Sequence, residues 1–118
     1  MSCLFNSLSR FFKTKSAQEI RQDICSYLES NKPIMDGLET KWILDLDEPN
    51  YIKKMRRSTT WGGAIEIQAA CCLWKLRVRI KDRTTGRWIE FIPLTGIAKH
   101  TIEIEWIGQN HYEPIRKY

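Results

Sequence analysis

The hydrophobic residues of this chain change their spacing once. Up to about residue 75 they recur three and four positions apart, the period of a helix, and from Leu76 they alternate with polar residues, the period of a strand. In the first regime Leu4, Leu8, Phe11 and Phe12 form a stripe on an opening helix. The stretch SAQEIRQDICSYLESNKP is the clearest helix: Ser16 and Glu19 make a capping box, Ile20, Ile24, Tyr27 and Leu28 line one face, and Asn31 with Pro33 supplies the stop. IMDGLETKWILDLDEPN reads as an irregular acidic stretch punctuated by Gly37 and Pro49. Asp47-Glu48-Pro49 then opens a short helix over NYIKKMRRS, with Tyr51, Ile52 and Met55 on one face. TTWGG is a tight loop. AIEIQAACCLWK follows as the central buried helix, with Ile65, Ala69, Cys72 and Leu73 on one side.

In the second regime Leu76, Val78 and Ile80 alternate with Arg77, Arg79 and Lys81, so the strand has a dry face and a basic, solvated one. DRTTGR is a turn, RWIEFIPL a second strand, TIEIEWI a third with Ile102, Ile104 and Trp106 inward, and GQNHYEPIRKY a loop into a short last strand. Helices followed by neighbouring strands predict an α+β fold, its helices packed on a small, mostly antiparallel sheet.

The chain has 118 residues, 42% of them hydrophobic, which fits a single domain over residues 1–118. No apolar run approaches the roughly 20 residues that would cross a bilayer, and no basic and apolar leader opens the chain. A soluble, cytoplasmic protein with no membrane association is expected. Cys3, Cys25, Cys71 and Cys72 lack the spacing of a zinc site, and adjacent Cys71 and Cys72 do not suit a disulfide framework, so free thiols, no metal and no cofactor are expected. The net charge of +5 is spread along the chain rather than gathered in a block, which favours a solvated surface over nucleic-acid binding.

Cys3 stands at the start of a helix, where positive partial charge and free N–H groups favour a thiolate. A thiol nucleophile needs a base, and the chain has two histidines. His100 lies in a polar connection. His111 enters the final strand, where Glu113, two residues on and about 7 Å along, shares its face and can accept the imidazole N–H.

CLFNSLS at the start, Y-x-x-x-M followed by TWGG and E-I-x-A, and HYEPI at the end together resemble the ovarian tumour (OTU) family of cysteine proteases, most of them deubiquitinases of the papain-like superfamily. Cys3-Leu4-Phe5 matches the nucleophile block, Trp61-Gly62-Gly63 with Glu66 and Ala69 the middle block, and His111-Tyr112-Glu113 the last. The resemblance covers essentially the whole chain. It implies Cys3 as nucleophile, His111 as general base and Glu113 as orienting residue, where the family usually has Asp or Asn; Asn110 is an alternative orienter. The family's Asp-Gly before the cysteine is absent, with Met1 and Ser2 in its place, so either the oxyanion hole is built differently or the chain is shortened.

The resemblance further implies hydrolysis after the Gly-Gly tail of ubiquitin, of polyubiquitin chains or of a ubiquitin-like modifier. Trp61, Gly62 and Gly63 would line a channel for that tail, and the acidic Asp36, Glu39, Asp45, Asp47 and Glu48 would face its arginines. Two other readings remain open: a degenerate family member that binds ubiquitin without cutting it, and a basic nucleic-acid module, for which no aromatic RNA motif speaks.

Overall fold

A computed structural model describes residues 3–108 and 111–115; Asn110 lies outside the described residues. Among the described residues five helices precede four strands: α1 Cys3–Ser9, α2 Ala17–Glu29, α3 Thr40–Asp47, α4 Tyr51–Met55, α5 Ala64–Trp74, β1 Leu76–Asp82, β2 Trp88–Phe91, β3 His100–Gly108 and β4 His111–Pro114.

Local sequence accounts for α2. The Glu19 N–H donates to Ser16 Oγ (3.1 Å) and the Ser16 N–H to Glu19 Oε1 (3.2 Å), while Ile20, Ile24 and Leu28 are buried. Cys25 is buried in the same helix, and desolvation pushes its thiol up to about 11. Cys71, also buried, is pushed up to about 12 for the same reason. Both are packing residues held as neutral thiols.

The acidic stretch expected to be irregular contains α3. Its start is held from a distance: Asn31 Oδ1 accepts the Lys41 N–H (2.8 Å), and the Thr40 hydroxyl donates to Lys32 O (2.5 Å). The N-cap residue Glu39 makes no side-chain cap. Thr40 and Leu44 are its buried residues, too few for a periodic stripe. In α5 the buried residues are Glu66, Ile67, Ala69, Ala70, Cys71 and Cys72, so the helix is central as expected, but its driest side lies one residue away from the Ile65–Leu73 side.

The sheet order is β2-β1-β3-β4. The outer pairings, β1 with β2 and β3 with β4, are antiparallel; the central one, β1 with β3, is parallel. Consecutive strands still run in opposite directions. After β2 the chain crosses the end of β1 and enters β3 on its far side. The Lys99 N–H donates to Lys75 O (2.8 Å) and Lys75 Nζ to Thr95 O (3.0 Å), which pins the crossing. Leu76, Val78, Ile80, Ile102 and Ile104 are buried on the face toward the helices.

The opposite face is paired rather than simply solvated. Arg77 bonds Glu90, and Arg79 reaches both Glu90 (3.2 Å) and Glu103 (2.5 Å) while stacking over Trp88 at 4.4 Å. Glu103 is buried, so Arg79 supplies the charge that allows a carboxylate there. Among the described residues no helix is long and apolar enough to cross a membrane.

Candidate active site

Cys3 is the first residue of α1 and is half-buried, in contrast to the buried Cys25, Cys71 and Cys72. Leu4, Phe5 and Leu8 anchor the helix in the core. α1 packs on α2 and, at the other end of the chain, on β4. The elements that carry the first and last blocks therefore lie side by side, although more than a hundred residues separate them in sequence.

The middle block meets α1 directly. A Cβ added to Gly62 would sit 2.8 Å from Leu4 Cδ2 and 2.9 Å from the Phe5 ring, so only glycine lets the loop lie against the helix. Arg21 locks this contact from below. Its fully buried guanidinium stacks on Phe5 (4.2 Å to the ring centre) and donates to Met55 O (2.7 Å) and Thr60 O (2.8 Å). Burial lowers its pKa, and the neighbouring Cys25 and Glu66 act in the opposite sense. The sequence signal was an arginine at position 21, seven residues before Leu28 on the apolar side of α2.

Glu66, in the first turn of α5, is buried. It accepts the Gly63 N–H (2.8 Å) and the Tyr51 hydroxyl (2.5 Å). Burial raises its pKa, and these two hydrogen bonds pull it back. A Cβ on Gly63 would meet no atom within 4 Å, and Trp61 is 38% exposed, so these two residues border open space beside α1.

On β4, His111 and Glu113 share one face, and His111 Nε2 lies 3.3 Å from Glu113 Oε1. A proton on Nε2 in that contact leaves Nδ1 with its lone pair free. Tyr112 points the other way, into an apolar hollow with Ala64, Ile67, Ile80, Phe91 and Trp106. Its hydroxyl pKa is raised by burial, and further by Cys3 and by Glu66, which relates it electrostatically to the other two blocks. His100 opens β3 at the end remote from the β4 pairing, about 26 Å from Gly108 by strand rise, so the two histidines lie at opposite ends of that strand pair.

Two residues beside His111 and Glu113 escaped the sequence reading. Arg83 Nη2 lies 2.6 Å from Glu105 Oε1 and 3.4 Å from Glu113 Oε2. Of the five acidic residues around α3, Glu48 pairs with Lys54 (2.9 Å) and Glu39 accepts from Asn31 (3.2 Å), whereas Asp36, Asp45 and Asp47 are exposed. Among the described residues no group of three or more His, Cys, Asp or Glu could hold a metal ion.

A half-exposed cysteine opening a helix, packed against a strand that carries a His–Glu pair, defines a candidate thiol-protease site on an α+β scaffold. The family model for OTU-like cysteine proteases matches residues 2–112, and the chain belongs to that family. It is 29% identical over 121 residues to ubiquitin thioesterase OTU1 of Mus musculus, covering 98% of this chain and 34% of that protein. It is 26% identical over 120 residues to ovarian tumor domain-containing deubiquitinating enzyme 10 of Arabidopsis thaliana, covering 97% of this chain and 32% of that protein. The chain thus spans about a third of the length of these relatives.

Among solved structures, an OTU deubiquitinase from Wolbachia pipientis wMel superposes with a TM-score of 0.73 at 18% identity, covering 96% of this chain and 80% of that one. An OTU domain in complex with ubiquitin superposes with a TM-score of 0.72 at 24% identity, covering 96% and 62%. The parallel centre of the sheet is thus part of an OTU fold.

Proposed function

We propose that this chain is a cysteine-type deubiquitinase that hydrolyses the peptide or isopeptide bond after the Gly-Gly tail of ubiquitin, of polyubiquitin chains or of a ubiquitin-like modifier. The observation that carries the reading is the packing of α1 on β4, which puts the element bearing Cys3 against the element bearing His111 and Glu113. Membership of the OTU-like family supports the substrate class.

In the proposed reaction His111 takes the Cys3 thiol proton and the sulfur attacks the carbonyl of the terminal glycine. The tetrahedral oxyanion collapses to a thioester as the imidazolium gives its proton to the departing lysine amine. Water, deprotonated by His111, then attacks the thioester. The carboxylate leaves and the thiol recovers the proton. Glu113 holds the ring through Nε2, which leaves Nδ1 as the nitrogen for the thiol proton in this reaction. Hydrogen bonding from the Cys3 N–H is available to the oxyanion.

Trp61 and Gly63 border the tail, and a tail of two glycines suits a path beside backbone rather than side chains. Gly62 contributes by letting the loop approach α1. The exposed Asp45 and Asp47 attract the arginines of the ubiquitin tail, so reversing both charges raises KM. A nucleophilic thiol must stay reduced to act, which favours a reducing, cytoplasmic setting, with residues 1–118 acting as one catalytic domain.

The test is hydrolysis of ubiquitin carrying a fluorogenic amine on its C-terminal glycine. Turnover that disappears in Cys3→Ala and His111→Ala supports the reading. Tight binding without turnover would make the chain a ubiquitin-binding module instead.

A further inference from the structure

We propose that Arg83, on the β1–β2 turn, is a positioning residue that fixes Glu113, and through it the His111 ring, with Glu105 as its anchor. The proposal rests on the reading of Cys3, His111 and Glu113 as the reacting group. It begins with a conflict in the sheet: Glu105 on β3 and Glu113 on β4 stand directly opposite each other in register. Two carboxylates so placed repel, and Glu113 alone would swing away.

Arg83 resolves the conflict. Its backbone N–H donates to Trp106 O (3.0 Å), which pins the turn to β3 one residue from Glu105. From there its Nη2 reaches Glu105 Oε1 at 2.6 Å and Glu113 Oε2 at 3.4 Å. The second carboxylate oxygen of Glu113, Oε1, is the one facing His111 Nε2. One oxygen is thus held by the arginine and the other by the imidazole. The Glu105 hydrogen bond is the foremost cause raising the Arg83 pKa, and the Arg83 hydrogen bond the foremost cause lowering that of Glu105, so both ends of the anchor stay charged.

A glutamate needs such a restraint more than an aspartate would, because it has one more rotatable bond to freeze and its side chain here is 49% exposed. Arginine suits the task, since its terminal Nη2 carries two N–H groups and here that one nitrogen faces both carboxylates. Arg83 is itself 52% exposed, so the bridge contributes little to stability and acts on the histidine. Among the described residues, Glu113 faces the His111 ring, Arg83 bridges Glu113 to Glu105, and Lys81 acts electrostatically on Glu105.

The experiment pairs turnover of the fluorogenic ubiquitin amide with the NMR chemical shifts of the His111 ring nitrogens at one pH, in wild type, Arg83→Ala, Arg83→Lys and the neighbouring control Arg87→Ala. Arg83→Ala is expected to lower kcat by about tenfold with KM little changed, as loss of ring orientation would. With the cation gone and Glu113 free to swing away, the hydrogen bond at His111 Nε2 is lost and the ring nitrogen signals should move from their wild-type positions in Arg83→Ala. Arg83→Lys should restore part of both effects and Arg87→Ala should change neither. Unchanged His111 ring shifts in Arg83→Ala, or an unchanged kcat in an active enzyme, overturn the proposal. A wild type without turnover whose His111 ring shifts still respond to Arg83→Ala would sink the protease reading and leave the coupling standing.

Discussion

The backbone of Gly62 lies against the Phe5 ring, 2.9 Å from where a Cβ would be, and this contact joins the Trp-Gly-Gly loop to the helix that begins at Cys3. Gly62→Ala must push Phe5 or Leu4 aside, at a cost of about 1–3 kcal/mol. Gly63→Ala meets open space and should stay within about 0.5 kcal/mol of wild type. Urea unfolding of the two variants checks this, and equal stabilities would contradict the close approach.

Arg21 is a buried cation whose partners come from three separate places: Phe5, Met55 O and Thr60 O. Arg21→Ala leaves two carbonyls without these donors and a void under Phe5. A loss of about 3 kcal/mol in unfolding free energy is expected. A loss below about 1 kcal/mol would mean that the loop reaches α1 without this clamp.

Glu66 gives the protein a specific pH dependence. Its folded pKa is raised above the ordinary 4.5, first of all by burial, so above that pH the folded state holds more protons than the unfolded one. Stability from this group is full below about 4.5 and is lost as pH rises through the folded value. Glu66→Gln removes the titration. The difference in unfolding free energy, wild type minus variant, should fall as pH rises above 4.5, and parallel curves would refute it.

How much of the fold can be read from sequence depends on where each element finds its partners. α2 carries its own cap and stripe within its own residues, and β1 its own alternation, so both are legible. α3 is capped by Asn31, ten residues before Lys41, and buries little, so nothing local announces it. The parallel pairing of β1 with β3 depends on a crossing held by Lys75 and Lys99, in a stretch with no periodic signal. In the candidate site the motif residues can be read one by one, and the His111–Glu113 contact follows from strand period. Arg83 was hidden because a turn residue acquires meaning only once the register puts Glu105 opposite Glu113. Arg79 was misread for the same reason, since Glu103 and Glu90 reach it from neighbouring strands.

The most direct measurement is intact-protein mass spectrometry after incubation with ubiquitin bearing an electrophile at its C-terminus. Attack by Cys3, assisted by His111, predicts one covalent adduct that maps to Cys3, vanishes in Cys3→Ala and forms far more slowly in His111→Ala. No adduct, or an adduct that persists in Cys3→Ala, would contradict it.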